Sequence, residues 1–166
     1  MKKIIFLMAF ACMCAKGLSQ SKTKLPDGLY LVAEVIRDST HIKSPGKGIT
    51  FVHFNPLFLE NAPDSSQGLL VYANKFVPLE LSKAPELLDQ AENKKKIQLS
   101  FSKLASDKLA SFTSENVMKQ ATLIVGGEAL TVHKIRTAIT GGKMEITRCD
   151  DNACQKIYVQ LQDNVK

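Results

Sequence analysis

Residues 120–135 read Gln-Ala-Thr-Leu-Ile-Val-Gly-Gly-Glu-Ala-Leu-Thr-Val-His-Lys-Ile. Residues 120–125 and 128–135 are strand-like runs. Gly126-Gly127 between them is a two-residue hairpin turn, because the turns that match strand twist need positive φ. Pairing Val125 with Glu128 predicts Leu123 opposite Leu130 and Ala121 opposite Val132 on one face, with Thr122 opposite Thr131 on the other. A one-residue slip would scramble that sorting. His133 shares the less apolar face with Thr131 and is expected to be exposed.

Upstream, Ser102 is an expected N-cap for a helix from Lys103 to about Asn116. Its apolar positions Leu104, Ala105, Leu109 and Phe112 have helical spacing and read as a face packed on a sheet. Ile97, Leu99 and Phe101 alternate with polar residues, as in a half-buried strand. Pro85 fits the first turn of a short helix through Ala91. Residues 69–77, 49–54 and 29–36 read as strands, joined by polar connections. Residues 20–27 read as a loose polar tail. Downstream, Thr140-Gly141-Gly142 marks a turn. Residues 143–149 and 154–161 read as two more strands around a tip at 150–153. There is no internal repeat. The order predicts an α+β fold, a small antiparallel or mixed sheet with one main helix packed on it.

The chain has 166 residues, 45% hydrophobic and 23% charged, which excludes disorder, collagen-like repetition and a polytopic membrane protein. Trp is absent and aromatics are 7%, a poor supply of stacking platforms for nucleic acid. Residues 1–19 read as a secretory signal: Lys2 and Lys3, a short apolar run over residues 4–15, then small residues before a cleavage site at Ser19 and Gln20. An uncleaved anchor is the weaker reading, as is a lipid on Cys12 or Cys14, since Ala9-Phe10-Ala11 makes a poor lipobox. Residues 20–166 are then one α+β domain, exported to a periplasmic or extracellular space. Losing Lys2, Lys3 and Lys16 from 22 bases leaves 19 against 16 acids, so half of the net +6 belongs to the signal. Lys94-Lys95-Lys96 is the one basic run and reads as a solvated loop rather than a nucleic-acid footprint.

Cleavage leaves two cysteines, Cys149 and Cys154, which read as one disulfide in an oxidising compartment. Opposing them across a hairpin puts Ile146 against Ile157 and Met144 against Val159 on an apolar face. Thr147 then meets Lys156, and Glu145 meets Tyr158, on a polar one.

No nucleophile elbow, metalloprotease helix, P-loop or dinucleotide fingerprint is present. Gly46-Lys47-Gly48 lacks the rest of a P-loop. His53 reads as a core or edge histidine. His41, His53 and His133 are scattered, and Asp64, Ser65 and Ser66 have no base at a fixed distance. Asp150-Asp151-Asn152 supplies too few ligands for a calcium loop. The expectation is no catalytic residue, no metal, no cofactor and no enzyme activity.

Three segments do carry a resemblance. Phe112-Thr113-Ser114-Glu115-Asn116-Val117, then Ala121-Thr122-Leu123-Ile124-Val125-Gly126-Gly127-Glu128, then Ile135 and Ile139-Thr140-Gly141-Gly142 resemble the head subdomain of the first periplasmic domain of SecD. That family has a helix ending in Thr-x-x-Asn, an apolar strand, a Gly-Glu turn and a closing Ile-Thr-Gly-Gly. The similarity covers residues 97–148, with a weaker echo at Asn55-Pro56-Leu57. The family carries Gly where Met118 stands, Asp where Gly126 stands, and Pro where His133 and Ala138 stand.

The resemblance implies a small α+β head, in SecD an extracytoplasmic module of a proton-driven export machine that engages emerging preprotein. The proton-coupling residues of that machine lie in membrane helices, and no further span is expected here after the signal. The expected function is a noncatalytic extracytoplasmic binding module for protein or peptide, using a sheet edge or the groove beside the helix. The alternatives are an accessory factor in protein export and a small secreted hydrolase. A histidine, serine and carboxylate in one pocket would favour the hydrolase. An apolar groove would favour the binding module.

Overall fold

The computed structural model describes residues 24–37, 45–56, 67–90, 94–149 and 151–162, with residues 90, 147–149 and 151–153 as backbone only. In chain order these form β1 (Gly28–Ile36), β2 (Ile49–His53), β3 (Gly68–Pro78), β4 (Glu86–Gln90), β5 (Lys94–Ser100), α1 (Lys103–Glu115), β6 (Gln120–Val125), β7 (Glu128–Lys134), β8 (Lys143–Cys149) and α2 (Asp151–Gln162). The strands pair antiparallel in two sheets, β2-β3-β1-β6-β7 and β4-β5-β8. The fold is α+β, as the sequence predicts, with two sheets where one was expected and with the second helix at residues 151–162 rather than a short one from Pro85.

Side chains alternate across a strand, and the larger sheet uses both faces. Tyr30 and Val32 of β1 join Val52, Phe54, Leu69, Val71, Ile124 and Ala129 in an inner cluster. Leu29 and Leu31 point the other way, into a second core shared with β5, β8 and both helices. The sheet curls around the inner cluster. The β1–β3 register jumps from Tyr30↔Phe76 to Val32↔Val71, which bulges β3 and bends it. The outermost strands then meet. Phe54 bridges to Ala129, and the Asn55 N–H donates to the Ala129 carbonyl at 2.8 Å. Asn55 Nδ2 also donates to Glu128 Oε2 at 2.7 Å, sealing the join.

Helix α1 begins as expected, with Ser102 Oγ accepting the Ala105 N–H at 3.2 Å. Its buried face is Ala105, Leu109, Phe112 and Thr113. Leu104 is 61% exposed and does not belong to that face.

The last segment is a helix, not the expected strand. Residues 154–161 satisfy both periods, since Ile157, Val159 and Leu161 alternate while Cys154, Ile157 and Leu161 have helical spacing. The core selects the helix: Cys154, Ile157 and Leu161 are buried and Val159 is 52% exposed. The cross-strand pairs expected with residues 144–147 therefore do not form. Strand β8 pairs with β5 instead, Ile146 against Ile97.

Residues 86–90 are likewise a strand, not a short helix. Five residues make a poor isolated helix, whereas Leu87↔Ile97 and Leu88↔Lys96 give them a ladder. The same ladder takes Lys94-Lys95-Lys96 out of the expected loop and into β5. Lys96 Nζ meets Glu145 Oε1 at 3.0 Å.

The β6–β7 hairpin turns at Gly126 and Gly127, both at positive φ. Val125↔Glu128 and Ile124↔Ala129 pair, but then the register shifts to Leu123↔Thr131, Thr122↔Val132 and Ala121↔His133. Leu130 is the extra residue of a bulge, so the expected pairs beyond Ile124 are wrong by one. The bulge puts the neighbours Leu130 and Thr131 on the same side of β7, towards the outer core, while Ala129 and Val132 face the inner cluster.

Residues 24–27 are not the loose tail expected. Leu25 packs on the inner cluster, and Asp27 Oδ1 accepts the Gly126 N–H at 2.8 Å. The rest of that tail, residues 20–23, lies outside the described residues.

Candidate functional site: a groove between two sheet edges

Strand β7 is an edge of the larger sheet and β8 an edge of the smaller one. Residues 135–142 connect them, and this strap is tied down along its length. The Ile135 carbonyl accepts the Met118 N–H at 2.7 Å, and the Ile135 N–H donates to the Lys119 carbonyl at 2.9 Å. The Ile139 N–H donates to Thr113 Oγ1 at 2.8 Å. That hydroxyl in turn donates to the Leu109 carbonyl at 2.7 Å. Asn116 Nδ2 donates to the Phe112 carbonyl at 2.8 Å, closing the helix. Gly142 has φ 62°, and a Cβ there would overlap the Ser106 hydroxyl of α1. The Thr-x-x-Asn and Ile-Thr-Gly-Gly motifs are therefore two halves of one structural fastening.

Under the strap lies a groove of about 400 Å³. Its floor is the second core itself, with Leu29, Ala121, Leu123, Ile135 and Ile146. Ile139 and Met144 line it, partly buried. The face of a strand contributes every second residue, yet β8 lines this groove with the consecutive residues Lys143, Met144, Glu145 and Ile146. The groove is thus walled by the edge of that strand, main chain included. On the opposite side Thr131, His133 and Lys134 of β7 line it, followed by Arg136 and Thr137. Glu145 is the one carboxylate among the described lining residues, and it accepts from Lys96 Nζ at 3.0 Å and Gln98 Nε2 at 3.3 Å.

Among the described residues no serine or cysteine lines the groove. His133 is exposed on its rim, as expected. His53 is exposed on the edge strand β2, edge-on to the Phe51 ring with centroids 4.7 Å apart. Among the described residues His133 shares the groove with the carboxylate Glu145 but with no serine, and His53 does not line it. Gly46-Lys47-Gly48 is the turn into β2, where the Ile49 N–H donates to the Gly46 carbonyl at 3.0 Å. Asp151 and Asn152 open α2. Cys154 is buried and disulfide-bonded. Cys149 ends β8, and its side chain is outside the description, as are Cys12, Cys14, Ser19, Gln20, His41, Asp64, Ser65, Ser66 and Asp150. Among the described residues no group of three His, Cys, Asp or Glu could hold a metal ion. The groove presents an apolar floor beside strand-edge main chain.

Sequence reasoning missed the groove because its lining comes from β1, α1, β6, β7, β8 and the strap together. The usable signal was the strap motif, which marks where the two edges are joined. A second signal was Met118. It sits at φ 68°, the one described non-glycine at positive φ, where the family carries Gly.

The family model described as SecDF, P1 head subdomain, matches residues 60–164. Among solved structures, one of SecDF, described as a membrane component that enhances protein export, superposes with a TM-score of 0.50 at 16% identity. It is covered over 63% of its length by 84% of this chain. A second, SecDF in a super-membrane-facing form, gives a TM-score of 0.49 at 16% identity, over 82% of this chain and 18% of that one. A third, SecDF from Thermus thermophilus, described as translocon-associated, gives 0.43 at 17% identity, over 84% and 19%. The chain spans less than two thirds of the length of each. No curated protein matches it. No helix among the described residues is long and apolar enough to cross a membrane.

Proposed function

The chain belongs to the SecDF P1 head subdomain family, and from that membership we propose that it is an extracytoplasmic polypeptide-binding module acting alongside protein export, with no catalysis of its own. One observation carries the reading. The groove joins an apolar floor to the edges of two sheets, and an extended segment needs both to be held. Main-chain pairing gives affinity independent of sequence, and alternate side chains fill the floor. The secreted-hydrolase reading draws no support from the described lining residues, none of which is a serine or cysteine. In this proposal residues 1–19 are removed on export and residues 20–166 act as one domain.

The test is site-specific photocrosslinking to an unfolded exported polypeptide. A crosslinker at Thr137, on the groove, is expected to capture it. One at the exposed Leu104, which does not line the groove, is not. Equal capture at both positions, or capture at Leu104 alone, overturns the reading.

A further inference from the structure

Resting on the groove reading above, we infer that the preferred occupant is an extended segment with an apolar centre and acidic residues at its flanks. The lining is asymmetric in charge. Lys134 and Arg136 stand on one side and Lys143 on the other. The single carboxylate among the described lining residues, Glu145, is already engaged by Lys96 and Gln98. The cationic surface continues past Lys134 into a neighbouring depression, where Lys75 and Lys119 join it and no described lining residue is a carboxylate; Asp107 and Glu115 lie beyond them in a further depression. Two of these amines are held in place. Lys119 Nζ donates to Asn116 Oδ1 at 3.0 Å, and Lys75 Nζ lies 4.7 Å from the Tyr72 ring centroid.

The two kinds of contact would divide the work. Sheet edges and the floor accept any extended apolar segment, so they supply affinity without choosing among sequences. The exposed rim charges act over several ångströms, steering encounter and penalising the wrong sign. A segment with basic flanks would meet Lys134, Arg136 and Lys143 as repulsion, which is the discriminating element.

The experiment uses fluorescence anisotropy with two labelled peptides that share an alternating Val/Thr centre. One carries two Asp or Glu at each end and the other two Lys. At low salt the acidic peptide is expected to bind at least about ten-fold more tightly, with the gap shrinking at high salt as screening grows. Arg136→Glu with Lys143→Glu, both at exposed positions, should reverse the preference, and circular dichroism checks that the variant folds. Equal binding of the two peptides by the wild-type protein overturns this inference and leaves the groove reading standing. Undiminished binding of an acidic peptide with a Gly/Ser centre overturns it as well, since charge alone would then suffice. Binding of neither peptide overturns both readings.

Discussion

The curled sheet serves two cores at once, and they are finished differently. The inner cluster, around Tyr30, Leu69 and Ile124, is enclosed by paired backbone and by the Asn55–Glu128 bond across the join. The outer core is built from the alternate residues of the same strands and is roofed by two helices and a second sheet. One side of that roof stays open, and the groove is the opening. The strands are shared, so their quality does not separate the two cores. The difference lies in whether the sheet edges meet, as β2 and β7 do at Ala129, or face each other across a gap, as β7 and β8 do. Closure makes structure, and the gap leaves edges on which a binding site can be built.

The largest effect is expected from breaking the closed core. Leu69→Ala removes a fully buried side chain and should cost about 2–5 kcal/mol in urea unfolding. Met144→Ala on the groove wall should cost under about 1 kcal/mol, because that side chain is only partly buried, while peptide binding weakens. Comparable losses at the two sites would erase the distinction between the cores.

Next in size is the link between β8 and α2. We propose that Cys149 is the partner of Cys154. Their short loop gives about 2 kcal/mol by chain entropy, so Cys149→Ala with Cys154→Ala should lower the melting temperature and leave the fold intact. Alkylation of the native protein tests the pairing, and two reactive thiols would refute it.

Thr113→Val isolates the strap. It leaves the Ile139 N–H without its acceptor, which should cost about 1–3 kcal/mol. Amide exchange at Ile139 is expected to rise before the β1–β6 ladder is affected. Global unfolding without local opening would mean that the strap and the sheet are one unit.

Met118→Gly runs the other way. A side chain at φ 68° is strained by about 1–2 kcal/mol, so the glycine should raise stability by about 1 kcal/mol, read as a shift in the urea midpoint.

The smallest effect at neutral pH concerns Tyr30, whose hydroxyl donates to the Pro26 carbonyl at 2.7 Å. Burial, helped by the Asp27 carboxylate, pushes its pKa up to about 12 from 10.0. The folded state thus holds the proton more tightly than the unfolded one, so this contribution is complete below pH 10 and is lost as pH rises towards 12. Subtracting a Tyr30→Phe stability profile from that of the parent protein should show the loss in that window and a flat difference below it.

Local chemistry was legible wherever one principle decided the outcome. Gly126-Gly127 could only turn, Ser102 could only cap, and residues 97–101 alternate too regularly to be anything but a strand. Legibility failed where two periods fitted the same residues. Residues 154–161 read as strand or helix until the core buried Cys154 and Leu161 and left Val159 outside. Pro85 suits a helix start and a strand entry alike. The bulge at Leu130 was invisible because strict alternation assigns Leu130 and Thr131 to opposite faces, whereas the fold puts both towards the outer core. The groove was beyond reach for the same reason: its lining residues become neighbours only when two edges are brought together.

The central strand of the curled sheet also bears on the order of assembly. Strand β1 has neighbours on both sides, β3 and β6, and the second is drawn from the last third of the chain. The Asp27–Gly126 contact spans 99 positions and the Asn55–Glu128 contact 73. Topologies of such high contact order fold slowly, in milliseconds to seconds, because loop closure precedes any gain from pairing. A chain delivered from its N-terminus keeps one side of β1 unpaired until residues 120–125 arrive. Over that interval the first strand is a bare sheet edge, open to a chaperone or to a wrong partner.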